Sequence, residues 1–236
     1  MKPNKGRKMR LIFMVIALAV INGISYNIYG AYQYNKIPVG GRAAALGGNI
    51  LSIYDDYSVY ENPAQLVYSS SDYVSFGYNS LLEDMTASSF LFHKNMKRFN
   101  ISGGVSNFTI NDIPLYPDYP TEDPIGHFDT HHITAIVGAG FRVSKDKTLG
   151  ISARYLLQKL YETHSQAVSF DIGFTYEIPL ITGLKFAAAV NHLGLSKKID
   201  NNELKLPMSY GYGLSYQIPI LQEHSILFGY NNKIIS

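Results

Sequence analysis

The sequence predicts an all-β protein, a transmembrane antiparallel β-barrel with an N-terminal segment folded into its lumen. From Tyr73 onward, runs of alternating apolar and polar residues follow one another, and several reach ten residues or more. Strands that cross a bilayer at a tilt need about 9–11 residues. Short connections alternate with mostly longer, polar ones, as in membrane barrels. A glycine-rich stretch precedes the first run, and small residues of this kind fit where backbone packs tightly.

The composition narrows the class of protein. A chain of 236 residues is long enough for one large all-β domain, and its 16% charged residues fall below the level of soluble domains, which is about 25%. Cys is absent, which argues against disulfides and a cysteine zinc site. The first ten residues hold five Lys and Arg and no acid, so the rest carries 15 basic against 18 acidic residues, a net −3. A nucleic-acid partner is therefore not expected.

Residues 1–25 are typical of a secretory signal peptide. The basic segment Met1–Arg10 is followed by eleven apolar residues, Leu11–Ile21, and then by small residues, with cleavage expected after Ser25. A membrane-spanning helix needs about 20 apolar residues. A buried core helix would have no use for the basic flank, so export from the cytoplasm is expected.

Residues 26–66 are interpreted as a plug or hatch inside the barrel, which would comprise residues 67–236. The stretch from Pro38 to Leu66 reads PVGGRAAALGGNILSIYDDYSVYENPAQL. Its glycines and alanines are interpreted as a packing surface for the lumen. An Asn-Pro step breaks regular structure, so Asn62-Pro63-Ala64 is expected to be the turn that leads into the first strand.

Nine strands are predicted from period-2 alternation. Their expected bounds are 72–79, 86–94, 98–109, 131–143, 148–160, 164–177, 184–193, 206–218 and 224–231. One face is apolar throughout, and the other is small, polar or charged. In a membrane barrel the polar face looks into the lumen, where Arg142, Arg154, Asp171 and Lys185 can stay hydrated or pair. A secreted soluble β-sandwich, with its apolar face inward, is the alternative.

The connections and tyrosines favour the membrane arrangement. The short connections are Asn95–Lys97, Ser144–Lys147, Ile178–Gly183 and Pro219–Glu223, and the longer ones are Ser80–Met85, Ile110–Thr130 and Gly194–Lys205. The link at Tyr161–Thr163 is short where a longer one was due. Tyrosines near strand ends fit an aromatic girdle: Tyr73, Tyr78, Tyr155, Tyr161, Tyr176 and Tyr216.

The strand count is odd, whereas bacterial single-chain barrels have an even number. An open barrel in lipid would leave unpaired backbone groups, each costing several kcal/mol. The sequence therefore predicts either a chain truncated at its C-terminus or one strand miscounted.

No catalytic, cofactor or metal site is expected. The stretch from His127 to His132 offers possible metal ligands, but His131 and His132 would point to opposite faces of a strand. The four prolines Pro114, Pro117, Pro120 and Pro124 predict a rigid external loop. The Ser, His and Asp residues lack the framing motifs of known catalytic sites.

The chain resembles the PorV/PorQ family of outer-membrane proteins, relatives of the FadL-type fatty-acid channels. The residues that carry the resemblance are Gly41, Arg42, Gly47, Gly48, Asp55, Asp56, Asn62, Pro63 and Ala64, then Asn191 and Gly194 in AAAVNHLG, and Leu206-Pro207-Met208 entering a Gly- and Tyr-rich strand. The resemblance implies a FadL-like barrel of about fourteen strands in a full-length member, with an N-terminal segment in the lumen. It also implies work with the type IX secretion system at the cell outer membrane.

The leading hypothesis is thus a non-enzymatic outer-membrane barrel in type IX protein secretion or surface assembly. Its partners would be outer-membrane lipid, secreted cargo proteins and other secretion-system subunits. A channel for hydrophobic small molecules is a second hypothesis, although the inward faces are mostly Gly, Ser, Asn and charged residues. A soluble secreted β-protein that binds glycans through its tyrosines is a third.

Overall fold

The computed structural model describes Tyr34 and residues 37–81, 84–96, 98–161, 163–196, 206–221 and 224–235. The predicted signal peptide and most of residues 26–36 lie outside the described residues. Among the described residues, no helix is both long and apolar enough to span a membrane.

The strands form one antiparallel sheet in which each strand pairs with its neighbours in sequence. The nine strands are β1 (Tyr73–Ser80), β2 (Met85–Met96), β3 (Phe99–Leu115), β4 (Gly126–Arg142), β5 (Lys147–Leu160), β6 (Thr163–Glu177), β7 (Leu184–Ser196), β8 (Ser209–Leu221) and β9 (His224–Ile235). The predicted all-β class and all nine predicted strands are confirmed. Alternation of apolar and polar residues was a sound guide to them, because successive side chains of a strand point to opposite faces.

The β3–β4 hairpin is longer than predicted. Ile113 pairs with Phe128 across the hairpin, and Ile125 N donates to Leu115 O at 2.8 Å. The connection therefore shrinks from the predicted Ile110–Thr130 to residues 116–125. Pro114 lies in β3, so the predicted loop of four prolines contains only Pro117, Pro120 and Pro124.

The sheet has two edges in the described part of the chain. There, β1 pairs only with β2 and β9 only with β8, so the sheet is not closed and barrel closure stays a prediction. At one end the connections are residues 97–98, 143–146, 178–183 and 222–223, and at the other they are 81–84, 116–125, 161–162 and 197–208. At the second end the connections 116–125 and 197–208 are long, as predicted, whereas 81–84 and 161–162 are as short as those at the first end.

The two faces of the sheet have opposite character. On the outer face large apolar side chains are exposed to solvent, among them Phe76 (77%), Val137 (57%), Ile151 (56%), Phe170 (55%) and Phe228 (57%). On the inner face small polar side chains are buried, among them Ser102, Thr134, Ser152, Ser169, Thr175 and Ser215. This is the reverse of a soluble sandwich, whose apolar faces turn inward.

Tyr73 does not belong to an outer girdle. Its ring stacks on the buried His93 at a centroid distance of 4.7 Å, and its hydroxyl donates to Asp56 O at 3.0 Å. The alternation of β1 places Tyr73 on the same face as Ser75 and Gly77, which is the inner face.

Residues 37–72, called the inner segment below, lie against the inner face of the sheet. They contain a short helix, α1 (Gly41–Ala45), and two 3-10 helices at Ser58–Tyr60 and Pro63–Tyr68. Buried side chains of the segment and the wall form one apolar cluster: Tyr57, Val59, Tyr60, Leu66, Leu91 and Ile136. The core of the molecule thus lies between the segment and the sheet.

Candidate functional site

A patch of wall glycines receives the Asn62-Pro63-Ala64 turn. A Cβ on Gly150 in β5 would overlap the Pro63–Ala64 backbone, and one on Gly173 in β6 would overlap Asn62. A Cβ on Gly140 in β4 would approach Pro63 O to 2.8 Å. These strand glycines leave room on the inner face of the sheet for the backbone of the turn.

Asn62 is fully buried and joins three parts of the structure. Its Nδ2 donates to Leu51 O at 2.8 Å and lies 3.4 Å from Thr175 Oγ1 in β6. Its Oδ1 accepts from Ala64 N at 3.1 Å, which caps the 3-10 helix that starts at Pro63. Such side-chain caps are typical of Asn. Asn62-Pro63-Ala64 is therefore a docking element and the start of a helix, and it does not lead directly into β1 as predicted.

A buried ion pair lies beside this turn. Arg154 Nε in β5 donates to Asp171 Oδ2 in β6 at 2.6 Å, and the two side chains are 4% and 0% exposed. Arg154 also donates through NH2 to Tyr60 O of the inner segment. Asp171 accepts further hydrogen bonds from Ser152 Oγ and from His192 N. Of the two alternatives left open for the charges on the polar face, hydration or pairing, Arg154 and Asp171 show pairing, and the network joins the segment to the wall.

The predicted residues Asn191 and Gly194 lie next to this pair in β7. A bulge opposite Asp171 puts His192 at φ 61°, so that Asn191 and His192 are both buried. Asn191 Nδ2 donates to Glu61 O at 3.1 Å. A Cβ on Gly194 would overlap Val168 O of β6, so this glycine serves strand pairing.

Wall side chains also bind other main-chain carbonyls of the inner segment. Asn100 Nδ2 donates to Leu66 O at 2.8 Å and to Ser69 O at 2.9 Å. Ser215 Oγ donates to Ser52 O at 2.8 Å. Buried irregular backbone requires such partners, because it has no ladder of its own to satisfy its polar groups.

Tyr68 lies between two wall cations. Lys185 Nζ is 3.6 Å from the centroid of the Tyr68 ring, and Arg142 Cζ is 5.7 Å from it. Both distances are within cation–π range. Two of the predicted lumenal charges therefore contact the inner segment, and burial raises the pKa of the Tyr68 hydroxyl above its ordinary value.

Arg42, Asp55 and Asp56 stabilise the turn that precedes Ser58–Tyr60. Asp55 Oδ1 accepts from Tyr57 N at 2.9 Å, and Arg42 NH1 lies 3.4 Å from Asp55 Oδ2. Asp56 accepts from Tyr54 Oη at 3.2 Å. The turn at Asp55-Asp56 is thus held by its own hydrogen bonds.

The glycines around α1 do not act as a packing surface throughout, which corrects the sequence interpretation. A Cβ on Gly41 or Gly47 would meet nothing within 4 Å, whereas one on Gly48 would lie 3.3 Å from Pro38. Gly47 and Gly48 instead have positive φ, 63° and 76°. They are needed to end α1 in a left-handed turn, where glycine has no steric cost.

Gly47→Ala is expected to lower the free energy of unfolding by about 1 kcal/mol, because a left-handed backbone is costly for a residue with a Cβ. Chemical unfolding of the full chain in detergent measures the change. Gly41→Ala is the matched control and should show no loss, since Gly41 has neither positive φ nor a close neighbour. Equal losses in the two variants would contradict this conformational explanation.

The described residues of the site are placed for binding and packing. Burial raises the pKa of the Tyr60 hydroxyl to about 12, so this tyrosine is neutral at physiological pH. In the described part of the chain, no three His, Cys, Asp or Glu side chains are placed to hold one metal ion. His131 and His132 do lie on opposite faces, with His131 Nδ1 3.1 Å from Thr109 Oγ1 and His132 buried.

Two cavities adjoin the inner segment. One of about 50 Å³ has Tyr60, His132 and Arg154 in its lining. The other, of about 260 Å³, lies beside β1 and is lined in part by Arg42 and Asp55. Typical small-molecule pockets hold about 300–1,000 Å³ and are mostly apolar, so neither cavity resembles a binding site for a long apolar ligand.

Sequence reasoning named Arg154 and Asp171 only as lumenal charges and missed their contact with the segment. Gln65 was missed as well, although its Nε2 donates to Thr175 Oγ1 at 3.1 Å. The alternation of faces along each strand could have shown them. Arg154 and Asp171 lie an even number of residues from Gly150 and Gly173, and so on the same buried face.

Comparison of the chain with protein-family models gave no match, and comparison with curated proteins gave none either.

Proposed function

We propose that the protein is an outer-membrane β-barrel whose inner segment fills the lumen, and that it works without catalysis in protein secretion or surface assembly. The observation that carries this proposal is the inverted sheet, with large apolar side chains outside and small polar ones inside. Soluble monomers rarely expose apolar patches larger than a few hundred Å². Lipid is the surrounding in which such an outer face is stable.

The resemblance to the PorV/PorQ family supports the second half of the proposal. Two of the stretches that carry the resemblance meet in the structure, because Asn191 of β7 donates to the carbonyl of Glu61, the residue before Asn62. A lumen filled by a packed, hydrogen-bonded segment suits a component that presents its loops to proteins. It suits a channel for apolar molecules less well.

The membrane assignment is tested by cell fractionation and by gel migration of unheated and heated samples. The expected result is recovery in the outer membrane and faster migration of the unheated, folded protein. Recovery in the soluble fraction would contradict the assignment and favour the secreted glycan-binding alternative.

The secretion role is tested by deleting the gene and measuring both surface delivery of secreted proteins and uptake of a long-chain fatty acid. Loss of surface delivery with normal uptake is the expected result. Loss of uptake with normal delivery would instead support the channel. Complementation with the wild-type chain is the control for both measurements.

A further inference from the structure

The β3–β4 hairpin projects beyond the neighbouring strands. The last residue of β3 that pairs with β2 is Ile110, and the pairing of β4 with β5 ends at Thr130. Residues 111–129, called the projecting hairpin below, pair only with each other within the described sheet. They stand at the end of the sheet that carries the two longest connections.

The base of the projecting hairpin is held in place. A bulge follows Ile110, where Asn111 Nδ2 donates to Asp84 O at 3.1 Å and Asp112 N donates to Asp129 Oδ1 at 3.0 Å. The ring of Phe128 meets Tyr161 edge-on at 5.3 Å. Together with four prolines in the hairpin, these contacts reduce the conformational entropy that binding would otherwise remove.

The surface of the projecting hairpin combines exposed apolar groups with a single sign of charge. Tyr116, Tyr119 and Ile125 are 51%, 66% and 63% exposed. Five acids and no Lys or Arg occur in the hairpin, and all five acids are exposed: Asp112, Asp118, Glu122, Asp123 and Asp129. Tyrosine is enriched in protein interfaces, and an anionic surface attracts cationic partners over several ångströms.

We propose that the projecting hairpin docks a polypeptide segment rich in Lys and Arg, which deepens the proposed assembly function and rests on it. The acids supply charge complementarity, and Tyr116 and Tyr119 supply rings on which the side chains of Arg or Lys stack. Anionic lipid headgroups and nucleic acids are repelled by the same acids. A bound metal ion does not account for them either, because no three of the described acids are placed to share one.

The inference is tested with the full chain in zwitterionic detergent and a fluorescent peptide of alternating Arg and Leu, with a Glu and Leu peptide for comparison. Fluorescence anisotropy should show saturable binding of the Arg peptide alone. D118N/E122Q/D123N is expected to weaken it about tenfold, since each exposed ion pair contributes little and three are removed together. Asp146→Asn, which changes a partly exposed acid at the opposite end of the sheet, should leave binding unchanged.

Y116S/Y119S separates docking from simple charge attraction, because it keeps every acid. It should also weaken binding severalfold. Lack of saturable binding by the wild type, or wild-type affinity in either hairpin variant, would overturn the inference. Binding of a neutral oligosaccharide that depends on the tyrosines and not on the acids would overturn it as well, in favour of a glycan partner.

The gel-migration assay shows that each variant is folded before its affinity is compared. Failure of the docking inference is distinguishable from failure of the proposed function. A protein recovered outside the outer membrane that still binds the Arg peptide would contradict the function alone. An outer-membrane protein that does not bind it would contradict only the docking inference.

Discussion

Gly150→Ala is expected to loosen the inner segment from the sheet while the strands stay paired. The new Cβ would overlap the backbone between Pro63 and Ala64, and backbone cannot rotate away as a flexible side chain can. Overpacking of this kind typically costs about 1–3 kcal/mol, and we expect the upper end here. The cost falls on the contact between segment and wall, because the neighbouring strands pair through their own backbone groups.

Chymotrypsin cleavage after Tyr57 and Tyr60 measures this loosening. Both side chains are buried in the wild type, at 6% and 5% exposure, so cleavage there should be slow and should accelerate in Gly150→Ala. Gly126→Ala in β4 is the matched control, because its Cβ would meet nothing within 4 Å. Equal cleavage rates in Gly150→Ala and the wild type would remove the glycine patch as a determinant of docking.

Arg154→Met and Asp171→Leu are each expected to lower the free energy of unfolding by about 3–5 kcal/mol, the usual cost of leaving one buried charge without its partner. The double variant should lose much less than the sum of the two, because neither charge remains. Asp171→Leu also leaves Ser152 Oγ and His192 N without their acceptor. Some loss should therefore persist in the double variant.

Guanidinium unfolding of the refolded protein in detergent supplies the four free energies of this cycle. Lys94→Met is the control for removing a cation from an exposed ion pair, since Lys94 lies 3.5 Å from Asp72 with both side chains more than half exposed. Little change is expected there. Additive losses in the double variant would mean that Arg154 and Asp171 act independently, contrary to the observed contact.

The sheet was predictable from the sequence because its two faces differ in polarity. Residues such as Phe170 and Ile172 alternate with Ser169 and Asp171, and this period fixes both the strand and the face. Tyr73 shows that the alternation of faces along a strand predicts the face of a side chain better than its nearness to a strand end does. The extension of β3 was missed because Pro114 and Asp112 are unfavourable in a regular strand. A bulge between Ile110 and Ile113 accommodates Asp112, and Pro114 pairs with His127.

The candidate site was predictable only in part. Asn62-Pro63-Ala64 could be picked out as a structural turn from residue types that restrict the backbone locally. The glycine patch that receives this turn could not be predicted, because Gly140, Gly150 and Gly173 come from three strands that only the folded sheet brings together. The contact of Arg154 with Tyr60 spans 94 residues, and no local pattern encodes a pairing of that kind.

Side chains of the inner segment also reach the last described strand, far along the chain. Asn49 bonds to Gly229 in β9, 180 residues later, and Glu61 pairs with Lys233, 172 residues later. Asn100 in β3 bonds to Leu66 O of the same segment, although β3 and β9 do not pair with each other in the described sheet. The inner segment therefore links strands that the sheet itself keeps apart, and its removal would take polar partners from both ends of the strand order at once.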